Sequence, residues 1–331
     1  MTRRFASWIR PALVLGVVVV TSGLLGRVAA AVVFHPKPAS PVHAKQLVIV
    51  NPYASAEGVP VDWYRGNLQA ASNWSIGKDL PRQLGAYYAS HDYRFLGVAD
   101  ANTYTWVESY GTRRLTGVPM VDATYPFGDV LALYMDHWLP ADTLQTAIDW
   151  IAQDAGFPIL TTTTAVQLTP AQLQGLHRVF GLEVYDGRLS LDATQQWDQI
   201  LTAGARVYAF ASDDVRSLNG DGSPASQGRG WIAVQAPDPS LESLLAAIRQ
   251  GAFYASTGPR FTSFTVSQRT LCATAEAGTT LRFIAKQAQL VGSGGSSACY
   301  TVTGRETYVR VEAWDRSGGR AWSQPFFLDT A

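Results

Sequence analysis

The stretch Arg65-Gly66-Asn67-Leu68-Gln69-Ala70-Ala71-Ser72-Asn73-Trp74-Ser75-Ile76-Gly77 decides how this chain is read. Shortly after it comes Arg94-Phe95-Leu96-Gly97-Val98-Ala99-Asp100-Ala101-Asn102, a short apolar run ending in polar residues. Such a run reads as a buried strand. Further strand candidates cover residues 130–134, 158–161, 181–185 and 207–211. Helix candidates alternate with them. Residues 80–91 start after Asp79 with Pro81 in the first turn, and residues 141–155 follow Pro140 and stop at Gly156. Another helix begins at Thr169-Pro170, and another covers residues 192–204. This β/α rhythm over residues 60–255 predicts a parallel sheet. Asp100, Thr162, Asp186 and Asp214 each follow a strand candidate.

Three further segments extend the frame. They are Gly181-Leu182-Glu183-Val184-Tyr185-Asp186-Gly187, Ala211-Ser212-Asp213-Asp214-Val215-Arg216, and the run from Gly230-Trp231-Ile232-Ala233-Val234 to Gly251-Ala252-Phe253-Tyr254-Ala255-Ser256-Thr257-Gly258-Pro259-Arg260. Together the five segments resemble the PHP (polymerase and histidinol phosphatase) family of metallohydrolases, whose motifs read roughly R-G-N-L-H-T-H-T-T-N-S-D-G and F-L-A-I-T-D-H-N. The resemblance covers about residues 60 to 331. It implies an α/β fold, an irregular (β/α)7 barrel over residues 60–255, followed by a small β-sandwich over residues 256–331. In such barrels the residues after strands line the working face.

The scaffold residues match the family frame and the ligands do not. The paired histidines fall on Gln69 and Ala71, and the following aspartate on Ile76. The next histidine falls on Ala101, beside a retained Asp100. A bridging glutamate and a later histidine fall on Pro119 and Asp129, another histidine near Thr162, and the last on Arg216. Asp100, Glu183 and Asp214 survive, with Asp213 beside them. A hydrolytic metal site needs several imidazoles and carboxylates to fix Zn, Mn or Fe. The five histidines, His35, His43, His91, His137 and His177, all lie off the motif positions. A permanent guanidinium at Arg216 repels a metal ion. The expectation is therefore a protein without a cofactor and without family-type catalysis. The alternative is a phosphoesterase or other metal-dependent hydrolase using Asp100, Glu183 and Asp214 with a weakly bound divalent cation.

Composition bounds the partners. The 331 residues carry zero formal net charge, and 47% are hydrophobic, which allows a large core. No Lys/Arg run supplies the basic footprint of a nucleic-acid partner. Residues 1–35 read as a signal peptide or membrane anchor. Arg3, Arg4 and Arg10 precede an uncharged run from Pro11 to Gly26, and Val28-Ala29-Ala30 offers a cleavage site. If it is uncleaved, residues 11–34 enter the membrane with Arg27 snorkelling. Either route predicts an exported, cell-envelope protein. Residues 36–59 form a Pro-rich linker and a short strand at 46–50.

The last 76 residues change character. Strands are expected at 261–266, 271–273, 280–285, 298–303, 307–314 and 321–328, with turns at 292–297 and 317–319. Cys272 and Cys299 are the only cysteines, and export makes a disulfide the better reading than two buried thiols. The 26 residues between them would close a loop worth roughly 3 kcal/mol.

The polar set left at the working face predicts a ligand site made of Gln69, Asn73, Trp74, Asn102, Thr162 and Arg216. Arg216 is expected to replace the metal as structural cation, the alternative being an outward-pointing surface arginine. Trp74 and Trp106 offer an aromatic platform or simply pack their loops. The resulting expectation is a degenerate envelope protein that binds a small molecule or a partner protein. A further alternative is a structural role for the β-sandwich.

Overall fold

The computed structural model describes residues 47–54, 59–220 and 225–330. The leader 1–35 lies outside the described residues, as does most of the linker. No helix among the described residues is long and apolar enough to cross a membrane.

The chain opens with β1 (Leu47–Val50), β2 (Asp62–Ala70), α1 (Pro81–Ser90), β3 (Phe95–Asp100), β4 (Thr103–Tyr104), β5 (Thr116–Gly117), β6 (Met120–Tyr125) and β7 (Gly128–Leu133). It continues with α2 (Leu144–Gln153), β8 (Phe157–Leu160), α3 (Thr162–Gln167), α4 (Pro170–Gly175), β9 (Gly181–Asp186), β10 (Leu191–Asp192), α5 (Thr194–Thr202) and β11 (Tyr208–Ser212). β12 (Trp231–Ala236), α6 (Leu241–Gln250) and β13 (Phe253–Ser256) complete the mixed α/β part. The helices follow local rules. α6 begins where Ser240 Oγ accepts from Ser243 N at 3.3 Å, buries Leu244, Leu245, Ala247 and Ile248, and stops at left-handed Gly251 (φ 85°). α2 uses Thr143 as its cap and buries Leu144, Ala147, Ile148 and Ile151 on one face.

β2 and β3 pair in parallel, as do β8, β9 and β11. β6–β7 and β7–β8 are antiparallel. The expectation of a parallel sheet is corrected here: a short turn joins β6 to β7 with no crossover helix, and such a hairpin must be antiparallel. Nor do continuous ladders close a barrel. β2 and β3 belong to a twelve-stranded sheet, while β6 to β11 form a six-stranded one. Two isolated parallel bridges, Ala70 with Val215 and Ala101 with Asp122, link them. Their backbone bonds are Ala71 N to Val215 O (2.8 Å) and Asn102 N to Asp122 O (2.9 Å). At the second seam Gly97 is required, since a Cβ there would fall 2.1 Å from Met120 Sδ. One apolar core gathers Leu68, Phe95, Met120, Leu131, Ile159, Leu182, Phe210 and Ile232 from these strands.

The remaining strands are β14 (Phe261–Ser267), β15 (Thr270–Ala275), β16 (Thr280–Ala285), β17 (Gln289–Gly294), β18 (Ser297–Thr301), β19 (Tyr308–Trp314), β20 (Arg320–Ser323) and β21 (Phe326–Thr330). β14, β15 and β18 form a separate sheet. It shares a core with the large sheet, Phe261, Phe264 and Leu271 meeting Leu281, Phe283, Val309 and Val311. Residues 321–328, read as one strand, are two, interrupted at Gln324-Pro325 because proline cannot donate to a ladder. The expected turn at 292–297 shrinks, because Gly292 to Gly294 belong to β17, paired with β16. β13 pairs with β20 and β1 with β21, so one sheet runs across the sequence boundary at 255/256. Cys272 and Cys299 face each other across β15 and β18 and are disulfide-bonded.

A buried ionic cluster ties α5 to the carboxy-terminal strands. Arg310 is 1% exposed and grips Asp198 with two bonds, Nε to Oδ1 at 3.0 Å and Nη2 to Oδ2 at 2.7 Å. Tyr308 OH donates to the same Asp198 at 3.0 Å. Arg310 and Arg320 both bind Glu312, which also accepts from Trp314 Nε1 at 3.0 Å. Burial alone would raise the Glu312 carboxyl, but Arg310 and then Arg320 hold it down at about 2. A depressed carboxyl contributes stability above the ordinary glutamate range and loses it as pH falls through about 2. Arg310→Ala strands buried Asp198 and leaves Glu312 with Arg320 as its remaining cation, and denaturant unfolding at neutral pH should show a loss of about 3–5 kcal/mol. The deficit should shrink on acidification toward pH 3, as the stranded carboxylate takes up a proton.

Candidate functional site

The strand ends and loops at the two seams bring together Gln69, Asp100, Asp122, Asp129, Glu183, Asp186, Asp214 and Arg216. Asp100 ends β3 and is fully buried. Its Oδ1 accepts from Ser72 N at 2.7 Å and Ser75 Oγ at 2.5 Å. Its Oδ2 accepts from Ser72 Oγ at 2.5 Å and from Thr105 Oγ1. The loop after β2 is thus folded around this one carboxylate by hydroxyl and amide donors.

Glu183, in β9, is 1% exposed. Its Oε2 accepts from Thr162 N and Thr162 Oγ1, both at 2.9 Å. Its Oε1 meets Ser212 Oγ, which also lies 2.6 Å from Gln69 Oε1. With the Gln69 amide in this orientation, one hydroxyl proton faces two acceptors. A proton on Glu183 resolves the conflict: the carboxyl donates to Ser212, and Ser212 donates to Gln69. Burial first, and then the charge of Asp186, pushes the Glu183 carboxyl upward, in agreement with that geometry. Asp186 is itself raised by burial and by Asp214.

Asp214 carries the cation of the site, and the partner is mainly one that the sequence reading missed. Arg188 Nε donates to Asp214 Oδ2 at 2.6 Å, whereas Arg216 Nε stands 3.6 Å from Oδ1. The expected role of Arg216 as principal structural cation is corrected accordingly. Arg188 comes from the turn after β9, where no motif position marks it. Arg216 is 35% exposed, and its Nε has no hydrogen-bond partner. Asp122 also lay outside the expected set. It is 8% exposed, its Oδ1 is buried without a partner, and burial and then Asp129 push its carboxyl well up. Arg216 opposes that rise, as it does at Asp129.

Other expected residues do different work. Asp213 belongs to a neighbouring cluster: it accepts from Tyr88 OH (2.8 Å), Arg229 N (2.8 Å) and Gly230 N (2.9 Å). Asn102 (φ 51°) clips the second seam, exchanging bonds with Thr124 N and O at 2.8 and 3.1 Å. Thr162 is spent on Glu183, and residues 161–164 form the start of α3, capped by Thr161. Asn73 is exposed, its amide bonded to Asp79 O at 2.8 Å. Trp74 and Trp106 form an edge-to-face pair at 5.8 Å, 41% and 63% exposed. Each adjoins a residue that binds Asp100 or its capping loop.

The resemblance to PHP proteins implies a metal centre, and these donors do not fit one. Both oxygens of Asp100 and of Glu183 are engaged by hydrogen bonds within the protein, and Asp214 is ion-paired with arginine. Among the described residues no group of three or more His, Cys, Asp or Glu side chains is set to hold a metal ion.

No family model matches the chain. No curated protein matches it either. Among solved structures it is similar to a two-domain protein from Bacteroides vulgatus containing a predicted PHP-like metal-dependent phosphoesterase. That match has 11% identity and a TM-score of 0.48, covering 88% of this chain and 99% of the other. It is also similar to an amidohydrolase from Chromobacterium violaceum with bound sulfate and no metal, at 12% identity and TM-score 0.34, covering 46% of this chain and 88% of that one. Likenesses this distant assign neither family nor activity.

The raised Glu183 carboxyl sets a testable pH dependence. The folded chain keeps its proton to about pH 8, while the unfolded chain releases it in the ordinary glutamate range. Stability from this group is therefore full below that range and falls as pH rises to about 8. Glu183→Gln mimics the protonated form. Urea unfolding between pH 5 and about 8 should show a flatter stability profile for the variant than for the parent. Identical profiles would show that Glu183 is ionised.

Proposed function

We propose that this chain is an exported, PHP-like protein whose former metal site now recognises a polar ligand without hydrolysing it. One observation carries the reading: the surviving carboxylates are neutralised from within. Hydroxyl and amide donors hold Asp100, a proton and the two Thr162 donors hold Glu183, and Arg188 holds Asp214. Donors so engaged cannot take up a metal ion without dismantling the loops they hold together.

Recognition is supported by what is left unsatisfied. Asp122 Oδ1 and Arg216 Nε are buried atoms without partners, an acceptor and a donor in the same cluster. A buried polar atom costs free energy until something bonds it, so a ligand with both donor and acceptor groups gains from this pair. The exposed Trp74–Trp106 pair adds flat apolar surface to the same loops. The ligand-facing set is thus Asp122, Arg216, Trp74 and Trp106, with Gln69 behind it. Export is supported by the basic and apolar pattern of residues 1–35 and by the Cys272–Cys299 disulfide. Hydrolysis by metal-free acid/base chemistry between Glu183 and Asp214 would require Glu183 to meet a substrate. Its two oxygens face Thr162 and Ser212 instead, at 1% exposure.

Elemental analysis of the purified full chain should find Zn, Mn and Fe far below one ion per chain. Added Mn or Zn should produce no hydrolysis of p-nitrophenyl phosphate above the protein-free blank. Near-stoichiometric metal, together with turnover abolished by Asp214→Asn, would overturn the reading.

A further inference from the structure

A second recognition site lies away from these carboxylates. A cleft of about 950 Å³ opens over the first half of β2, the start of β12 and the segment Gly258 to Thr262. Its walls include Trp63, Trp231 and Tyr254, and its cations are Arg65, Arg94 and Arg260. Trp63 and Tyr254 meet edge to face at 4.9 Å.

Arg65 is the unusual member. Its guanidinium stacks on Tyr93 at 4.2 Å and on Trp231 at 3.9 Å from the ring centroids. Nη2 donates to Tyr93 OH at 2.8 Å, and the buried Nε has no partner. Among the described residues no carboxylate forms an ion pair with Arg65 or with the exposed Arg94, whereas Arg260 is paired with Glu276 at 3.2 Å. The other acids of the cleft stand at its rim. Asp62 bonds the amide of Trp63 at 2.8 Å, and Asp92 is exposed. A planar cation fixed between two rings keeps its fork of N–H donors in one plane, which suits a carboxylate or phosphate. The half-buried indole of Trp63, backed by buried Tyr254, suits a flat apolar body on the same ligand.

We propose that this cleft binds a small aromatic oxyanion, its ring against Trp63 and its charged head on Arg65 and Arg94. Calorimetric titration of the full chain with phenyl phosphate and with benzoate tests it, the two probes distinguishing a phosphate from a carboxylate head. Binding of either, at least about tenfold tighter than phenol and than inorganic phosphate, is the expected result. Arg94→Ala removes an exposed side chain, and Arg65→Lys keeps the charge while losing the planar fork. Each should weaken binding several-fold, Arg94→Ala with an unchanged melting temperature. No heat from either probe at millimolar concentration overturns the proposal. So does phenol or inorganic phosphate binding as well as the aryl anions. Parent-like affinity in both variants would show that Arg65 only packs β2 against β12.

Discussion

A carboxylate taken out of water must be met by a proton, a cation or several hydrogen-bond donors, and that constraint organises this molecule. Asp100, Glu183, Asp186, Asp198, Asp214 and Glu312 are all at most 7% exposed by residue or side chain. They are met in different ways, Asp186 by the Leu189 amide at 2.9 Å. Hydroxyls and an amide hold Asp100, burial keeps a proton on Glu183, and guanidinium groups answer Asp198, Asp214 and Glu312. Around these carboxylates the chain places Ser72, Ser75, Thr105, Ser212 and Arg188.

The two charged clusters have different consequences. The Arg310 cluster is closed: its acids are all bonded, and it fixes α5 against β19 and β20. The seam cluster is open, because Asp122 Oδ1 and Arg216 Nε have no partner. With every carboxylate bonded, the Arg310 cluster sets the relative position of its elements, although Arg320 Nε is left without a partner.

Much of the secondary structure was legible in the sequence. The apolar run 95–99 became β3, Pro81 marked the first turn of α1, and the strand expected at 307–314 became β19, buried almost throughout. The hairpin of β6 and β7 was not legible as such, since a Tyr-Pro-Phe-Gly turn looks like a loop between any two elements. The absence of imidazole at Gln69, Ala71 and Ala101 could be read directly. The substitute partners could not, because Ser72, Thr105 and Ser212 are ordinary residues until folding aims them at a carboxylate. Arg188 was missed for the same reason: it sits two residues past β9, and only the third dimension sets it against Asp214. Asp122 offered one signal, a lone acid inside an apolar segment later seen as β6.

The central claim is that the site is balanced from within, and removal of its internal cation tests it most directly. Arg188→Ala and Arg216→Ala should be compared with the parent by urea unfolding at neutral pH, with EDTA and then with excess Mn or Ca. Loss of Arg188 should cost about 3–5 kcal/mol, as expected for one half of a buried pair. Loss of the more exposed Arg216 should cost about 1 kcal/mol or less. Added metal should not restore the Arg188 variant. An Arg188→Ala protein as stable as its parent in EDTA, or one fully rescued by Mn, would contradict the account.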